Sequence, residues 1–159
     1  MSDRLIAPDK QPRVRPVRVG ETWRHLMERC VLRVTGQEDK AACRTEQLSI
    51  GVEAGIKGGI HDTCLLQEQK SQEEDWGFLL IDAQGAFNEE NRTARLWAVR
   101  NEWPRGAQFT FNCYRHWDTM MVHDTEDGSV HFLNSKEGGN QGDPLAMIIC
   151  AILVLPLII

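Results

Sequence analysis

Gly77-Phe78-Leu79-Leu80-Ile81-Asp82 is a short, unbroken apolar run closed by a carboxylate. With no polar alternation, such a run suits a strand buried on both faces, and it sets Asp82 at the strand's end. Ala83-Gln84-Gly85-Ala86-Phe87 follows as a turn. Asn88 can then cap a helix whose first turn carries Glu89 and Glu90 at the positive end of the dipole. The core face of that helix would be Ala94, Leu96, Trp97 and Val99, and Trp103-Pro104 ends it. A strand, an acid, a turn and a helix thus follow in order.

Beyond Pro104, Phe109, Phe111 and Cys113 alternate with Thr110, Asn112 and Tyr114, the period of a half-buried strand. Met120 to His123 and Val130 to Leu133 flank the turn-rich 124–129, which predicts a hairpin. The loop 134–143 holds Gly138, Gly139 and Gly142 and meets Pro144 at a first helical position, with Asp143 as its cap. Met147 to Ile159 carries no charge, is too short for a bilayer, which takes about 20 apolar residues, and is interrupted by Pro156. It reads as a buried helix or a helix–strand pair, with no membrane role.

Upstream, residues 11–19 alternate basic residues with apolar ones or Pro and suit an edge strand. Trp23, Leu26, Met27, Cys30, Val31 and Val34 recur at helical spacing, with Gly36 as the stop, and this stripe is expected to pack in the core. The glycines between Thr45 and Gly59 predict a loop leading into a helix over 60–69, and they lack the strand and Gly-Lys-Ser/Thr ending of a phosphate cradle. Residues 67–75 read as a solvated connector.

Composition bounds the chemistry. The 159 residues are 42% hydrophobic and 26% charged, ordinary globular usage. The first ten residues lack an apolar signal core, so an intracellular protein is expected. Five scattered cysteines give neither a disulfide framework nor a zinc ribbon, and His61 with Cys64 would need two further ligands. The net charge of −5 weighs against nucleic-acid binding, but residues 1–44 hold ten Lys and Arg against six Asp and Glu. A locally basic surface and a merely solvated Arg-rich face both remain open. His116, His123 and His131 are assigned no site.

Two segments, taken in order, resemble the polymerase motifs of reverse transcriptases, particularly those of non-LTR, LINE-type retrotransposons. Asp82-Ala83-Gln84-Gly85-Ala86-Phe87-Asn88 is similar to the palm motif with a metal-binding aspartate and an aromatic residue five positions on. Ser135-Lys136-Glu137-Gly138-Gly139-Asn140-Gln141-Gly142-Asp143-Pro144-Leu145 resembles the family's Gln-Gly-x-Pro-Leu motif. Arg15-Pro16-Val17 and Gln47-Leu48-Ser49-Ile50-Gly51 are similar to two segments of the fingers. The resemblance runs from about Arg13 to Pro156. Relatives often carry Asn at the position of Gly85, and an apolar residue followed by Thr or Pro where this chain has Gly139-Asn140.

The resemblance implies an α+β fold: part of a polymerase palm, an antiparallel sheet backed by helices, with part of the fingers. One incomplete domain is expected over 1–159, fingers-like at 11–75 and palm-like at 76–159. The implied activity is RNA-directed DNA polymerisation, nucleotidyl transfer from a dNTP to a primer 3′-hydroxyl on an RNA or DNA template-primer. Asp82 would ligate Mg2+, with the Ala83 carbonyl beside it. Phe87 would exclude a 2′-hydroxyl, Gln141 and the Gly142 amide would position the nucleotide, Arg15 would contact its triphosphate, and Lys136 is a candidate for template phosphates. The family's remaining carboxylates lie on an Asp-Asp hairpin, and no Asp-Asp pair occurs here. The isolated chain is therefore expected not to polymerise, and the alternative is a non-enzymatic remnant or interaction module. No specific protein partner is implied.

Overall fold

The computed structural model describes every residue except 1, 7, 8, 11, 12, 15, 16, 51, 125 and 159; the side chains of 2, 3, 9, 10, 13, 14 and 18 are likewise left out. Arg15, Pro16 and Gly51 therefore lie outside the described residues. The chain is a mixed α and β structure. It opens with β1 (Ser2–Ile6), β2 (Asp9–Lys10), β3 (Arg13–Val14) and β4 (Val17–Val19), then α1 (Thr22–Thr35), α2 (Glu38–Cys43) and α3 (Gly55–Gln69). The short α4 (Ala86–Glu89) precedes α5 (Arg92–Glu102) and α6 (Pro104–Tyr114), and the chain continues through β5 (Asp118–His123), β6 (Val130–Ser135) and α7 (Ala146–Ile158).

The main sheet has the order β4-β1-β5-β6. β5 and β6 form the expected antiparallel hairpin, in register from Asp118 opposite Ser135 to His123 opposite Val130. β1 lies between β4, antiparallel, and β5, parallel. Of the basic 11–19 segment, Val17–Val19 forms the edge strand of this sheet, and Arg13–Val14 pairs with β2 in a separate two-stranded sheet. β1 carries no strong strand signal of its own, and its place comes from pairing with residues more than a hundred positions on.

The core is helical. Val99 and Ala98 of α5, Tyr114 of α6, Ile148, Ile149 and Ile152 of α7, and Cys43 of α2 pack together with Trp103 and Leu145. α7 has no charged residue, so any face it turns inward is apolar, and six of its residues are buried. Pro156 does not end it: the helix reaches Ile158, because the hydrogen bond that proline removes falls in the last turn.

Four expectations are corrected. Residues 77–81 form no strand; Leu79, Leu80 and Ile81 are 84%, 90% and 84% exposed. A doubly buried strand needs neighbours on both edges and both faces, and no described strand pairs with this segment. Phe109 to Cys113 is helical rather than extended. Pro104 opens α6 with its fixed φ, and Gly106, Thr110 and Tyr114 then face inward at four-residue spacing.

The stripe of α1 points the other way from its prediction. Trp23, Leu26, Met27, Cys30 and Val34 are exposed, while the inner face carries Arg24, Glu28, Val31, Leu32 and Thr35. The cause is a buried ion network, described below, that claims Arg24 and Glu28. Finally, α5 is capped by Asn91, whose side chain accepts from the Ala94 amide, and Asn88 sits inside α4 instead. The buried face of α5 is Arg92, Arg95, Ala98 and Val99, leaving Ala94 and Trp97 exposed.

Candidate functional site

The loop between β6 and α7 is built onto the segment that links α4 to α5. The Gly138 amide donates to the Glu90 carbonyl at 2.8 Å and the Gly139 amide to the Phe87 carbonyl. Gly138 adopts φ +69, and a side chain there would meet the Asn88 carbonyl; at Gly139 a Cβ would lie 1.5 Å from Arg95 Nη1. Two successive glycines are what let the two backbones touch.

Arg92 fastens the same loop. Its guanidinium donates to the carbonyls of His116 (2.9 Å), Glu137 (3.0 Å), Ser135 and Gly138 (both 3.3 Å), and to Ser135 Oγ (3.1 Å). The Glu137 carboxylate accepts from the Arg92 amide at 2.9 Å. Burial lowers the Arg92 pKa, partly offset by Asp118 and Glu137.

Beneath the loop lies a chain of buried charges. Glu90 pairs with Arg95 at 2.7 Å, and Arg95 stacks over the Tyr114 ring at 4.5 Å. Arg24 covers the same ring at 4.9 Å. The Tyr114 hydroxyl donates to Asp143, which also accepts from Arg24 at 2.7 Å. Arg24 in turn donates to Glu28 at 2.9 Å.

The environment moves these groups in different directions. Desolvation raises the Glu90 pKa although Arg95 opposes it. Desolvation likewise pushes the Tyr114 hydroxyl well above the ordinary tyrosine value, with Asp143 adding to the effect. Burial works against the Arg24 cation, yet Tyr114, Asp143 and Glu28 outweigh it and raise its pKa. Asp143 was expected to cap the last helix; its carboxylate instead joins Tyr114 and Arg24, and α7 starts only at Ala146.

The predicted site residues are distributed unevenly over this frame. Phe87 is half-buried and bonded through its carbonyl to the Gly139 amide. Gln141 lines a hollow of about 150 Å³ together with Asn88, Asn140, Glu137 and Met120. Gly142 is exposed, with φ +118, a conformation that only glycine adopts without strain. Lys136 sits 4.4 Å over the exposed Trp117 ring. Asp82 and Ala83 are exposed, upstream on the unpaired segment, and neither lines the hollow.

The hollow is smaller than the roughly 300 Å³ or more that whole small-molecule ligands occupy. Two catalytic magnesium ions need several carboxylate oxygens, and Asp82 is in no described group of neighbouring ligand side chains. The described residues therefore form no two-magnesium centre. The described cluster close enough to share an ion is His25, Glu28 and Asp143.

Sequence reasoning passed over Arg24, Arg92, Arg95, Glu90 and Tyr114. One signal was available: Arg24 and Glu28 stand at i,i+4 on the face opposite the apolar stripe. Among the described residues, no helix is long and apolar enough to cross a membrane. Compared with known protein families, curated proteins and solved structures, the chain matches none.

Proposed function

We propose that the chain is the fingers-and-palm part of a reverse transcriptase of the LINE type, a nucleotide- and template-binding fragment of an RNA-directed DNA polymerase. The observation that carries the reading is the order of its two motifs together with their contact: Phe87 to Glu90 and Gly138 to Gly139 are hydrogen-bonded neighbours despite some fifty intervening residues. This brings the aromatic residue of the first motif beside the turn that leads into Gln141 and Gly142. In this role Phe87 discriminates against ribose, Gln141 and the Gly142 amide position the base and sugar, and Lys136 beside Trp117 meets the template. Arg15 keeps its proposed part at the triphosphate.

Magnesium chemistry is not part of what this chain does alone. Asp82 is a single carboxylate, and in-line displacement needs charge stabilisation on both the attacking and the leaving oxygen. Binding without transfer is the expected activity. The test is dNTP binding in the presence of a primer-template, read by tryptophan fluorescence.

Wild type is expected to bind dATP more tightly than ATP, Phe87→Ala to lose that preference, and Gln141→Ala to bind at least tenfold more weakly, while primer extension is absent in all three. Equal affinity of wild type and both variants, or no nucleotide binding, overturns the reading. A non-enzymatic interaction module is the second reading, favoured by the exposure of Leu79, Leu80 and Ile81, and it predicts that no nucleotide binds.

A further inference from the structure

We propose that His25, Glu28 and Asp143 hold one divalent cation of the zinc class. The three side chains come from α1 and from the turn before α7, and one ligand atom of each lies within 4.8 Å of the others. His25 Nε2 and Asp143 Oδ1 face each other at 3.6 Å. Both atoms are buried, and neither has a hydrogen-bond partner. A buried carboxylate oxygen and a buried imidazole nitrogen without partners are costly. An ion between them satisfies both, since two metal–ligand bonds of about 2.0–2.1 Å span such a gap at an open angle near that of a tetrahedral centre.

The outer shell is already in place. Ligating carboxylates are held by hydrogen bonds on their other oxygen, which fixes their orientation. Asp143 Oδ2 accepts from Arg24 and from the Tyr114 hydroxyl. Glu28 Oε1 accepts from Arg24. Arg24 is thus shared by both carboxylates and leaves Asp143 Oδ1 turned toward His25. Glu28 offers the third oxygen, within 4.8 Å of the other two ligand atoms.

One imidazole and two carboxylates form a mixed nitrogen and oxygen donor set, which suits Zn2+ better than the all-oxygen preference of Mg2+. The His25 side chain is 28% exposed, so the cluster lies close to the surface, and a water would complete four-coordination of the ion. Gly20 closes the opposite side: a Cβ there would lie 2.6 Å from His25 Nε2 and 3.5 Å from Asp143 Oδ1. This site does not involve Asp82 and stands or falls apart from nucleotide binding.

The experiment is calorimetric titration of the chelator-stripped, reduced full chain with Zn2+, together with the visible absorption of its Co2+ form. Wild type is expected to bind one equivalent and to show the intense bands of four-coordinate Co2+. His25→Gln and Gly20→Ala should each weaken binding at least tenfold while keeping the far-ultraviolet circular dichroism of wild type. His131→Gln, in the exposed hairpin, should bind as wild type. Absence of stoichiometric binding, or binding that survives His25→Gln, overturns the proposal, as does an equal loss in His131→Gln.

Discussion

At Gly139 a methyl group would sit 1.5 Å from Arg95 Nη1, and Arg95 cannot retreat because it is buried against Tyr114 and paired with Glu90. Overpacking alone costs about 1–3 kcal/mol, and disturbing a buried ion pair adds to it. Gly139→Ala should therefore lose about 3 kcal/mol in urea unfolding. A loss below about 0.5 kcal/mol, the usual scale of a surface change, would show that the loop does not seat on Arg95. The glycines of this loop were plain in the sequence as a turn, but the partner that demands them was not. Arg95 stands 44 positions earlier, on a helix whose expected core face did not include it. The guanidinium beneath position 139 is the physical reason that glycine is required there.

Among the elements, the hairpin and the last helix were legible, whereas two strands were misread. β5 and β6 are joined by a short turn rich in Asp and Gly, so their pairing is local and their alternation suffices to announce it. α7 is apolar throughout, and its burial follows from composition. Residues 77–81 are equally apolar, but an apolar run becomes a strand only where a neighbour supplies hydrogen bonds. Leu80→Ser should change stability by less than about 0.5 kcal/mol, since an exposed side chain loses little on replacement. Ile149→Ala, at a fully buried position, should cost about 2–5 kcal/mol. Comparable losses in the two variants by chemical denaturation would mean that 77–81 is packed after all. α6 was misread for a different reason: Phe109, Phe111 and Cys113 alternate by chance, while the inward residues Gly106, Thr110 and Tyr114 are too varied in polarity to show a helical stripe.

Over the whole molecule, the buried titratable groups set how stability depends on pH. Desolvation pushes the Cys43 and Cys113 thiols up to about 11 and the Cys150 thiol to about 12, with Glu90 adding to the last. Tyr114 is raised as well. In the unfolded chain these thiols ionise near 9.0. Above that pH the folded state holds more protons than the unfolded one, so stability is full below about pH 9 and falls as pH rises toward 11 and 12. The urea midpoint should drop between pH 8 and pH 10.5, and the drop should be smaller in Cys150→Ala. A flat profile over that range would contradict the burial of Cys43 and the partial burial of Cys113 and Cys150.

The sequence by itself determined the elements whose signals are local: the first helix and its length, the β5–β6 hairpin and the apolar last helix. Helix hydrogen bonds join residues four apart and a hairpin is closed by its own turn, so periodicity and turn chemistry carry that information. Only the tertiary structure decided which face of α1 turns inward, because Arg24 meets Asp143 across 119 residues and that charge pairing outweighs the apolar stripe. It alone placed β1 within the sheet, left 77–81 without a partner, and gathered His25, Glu28 and Asp143 into one cluster. Burial of charge depends on which distant groups arrive to compensate it, and no window of sequence contains them.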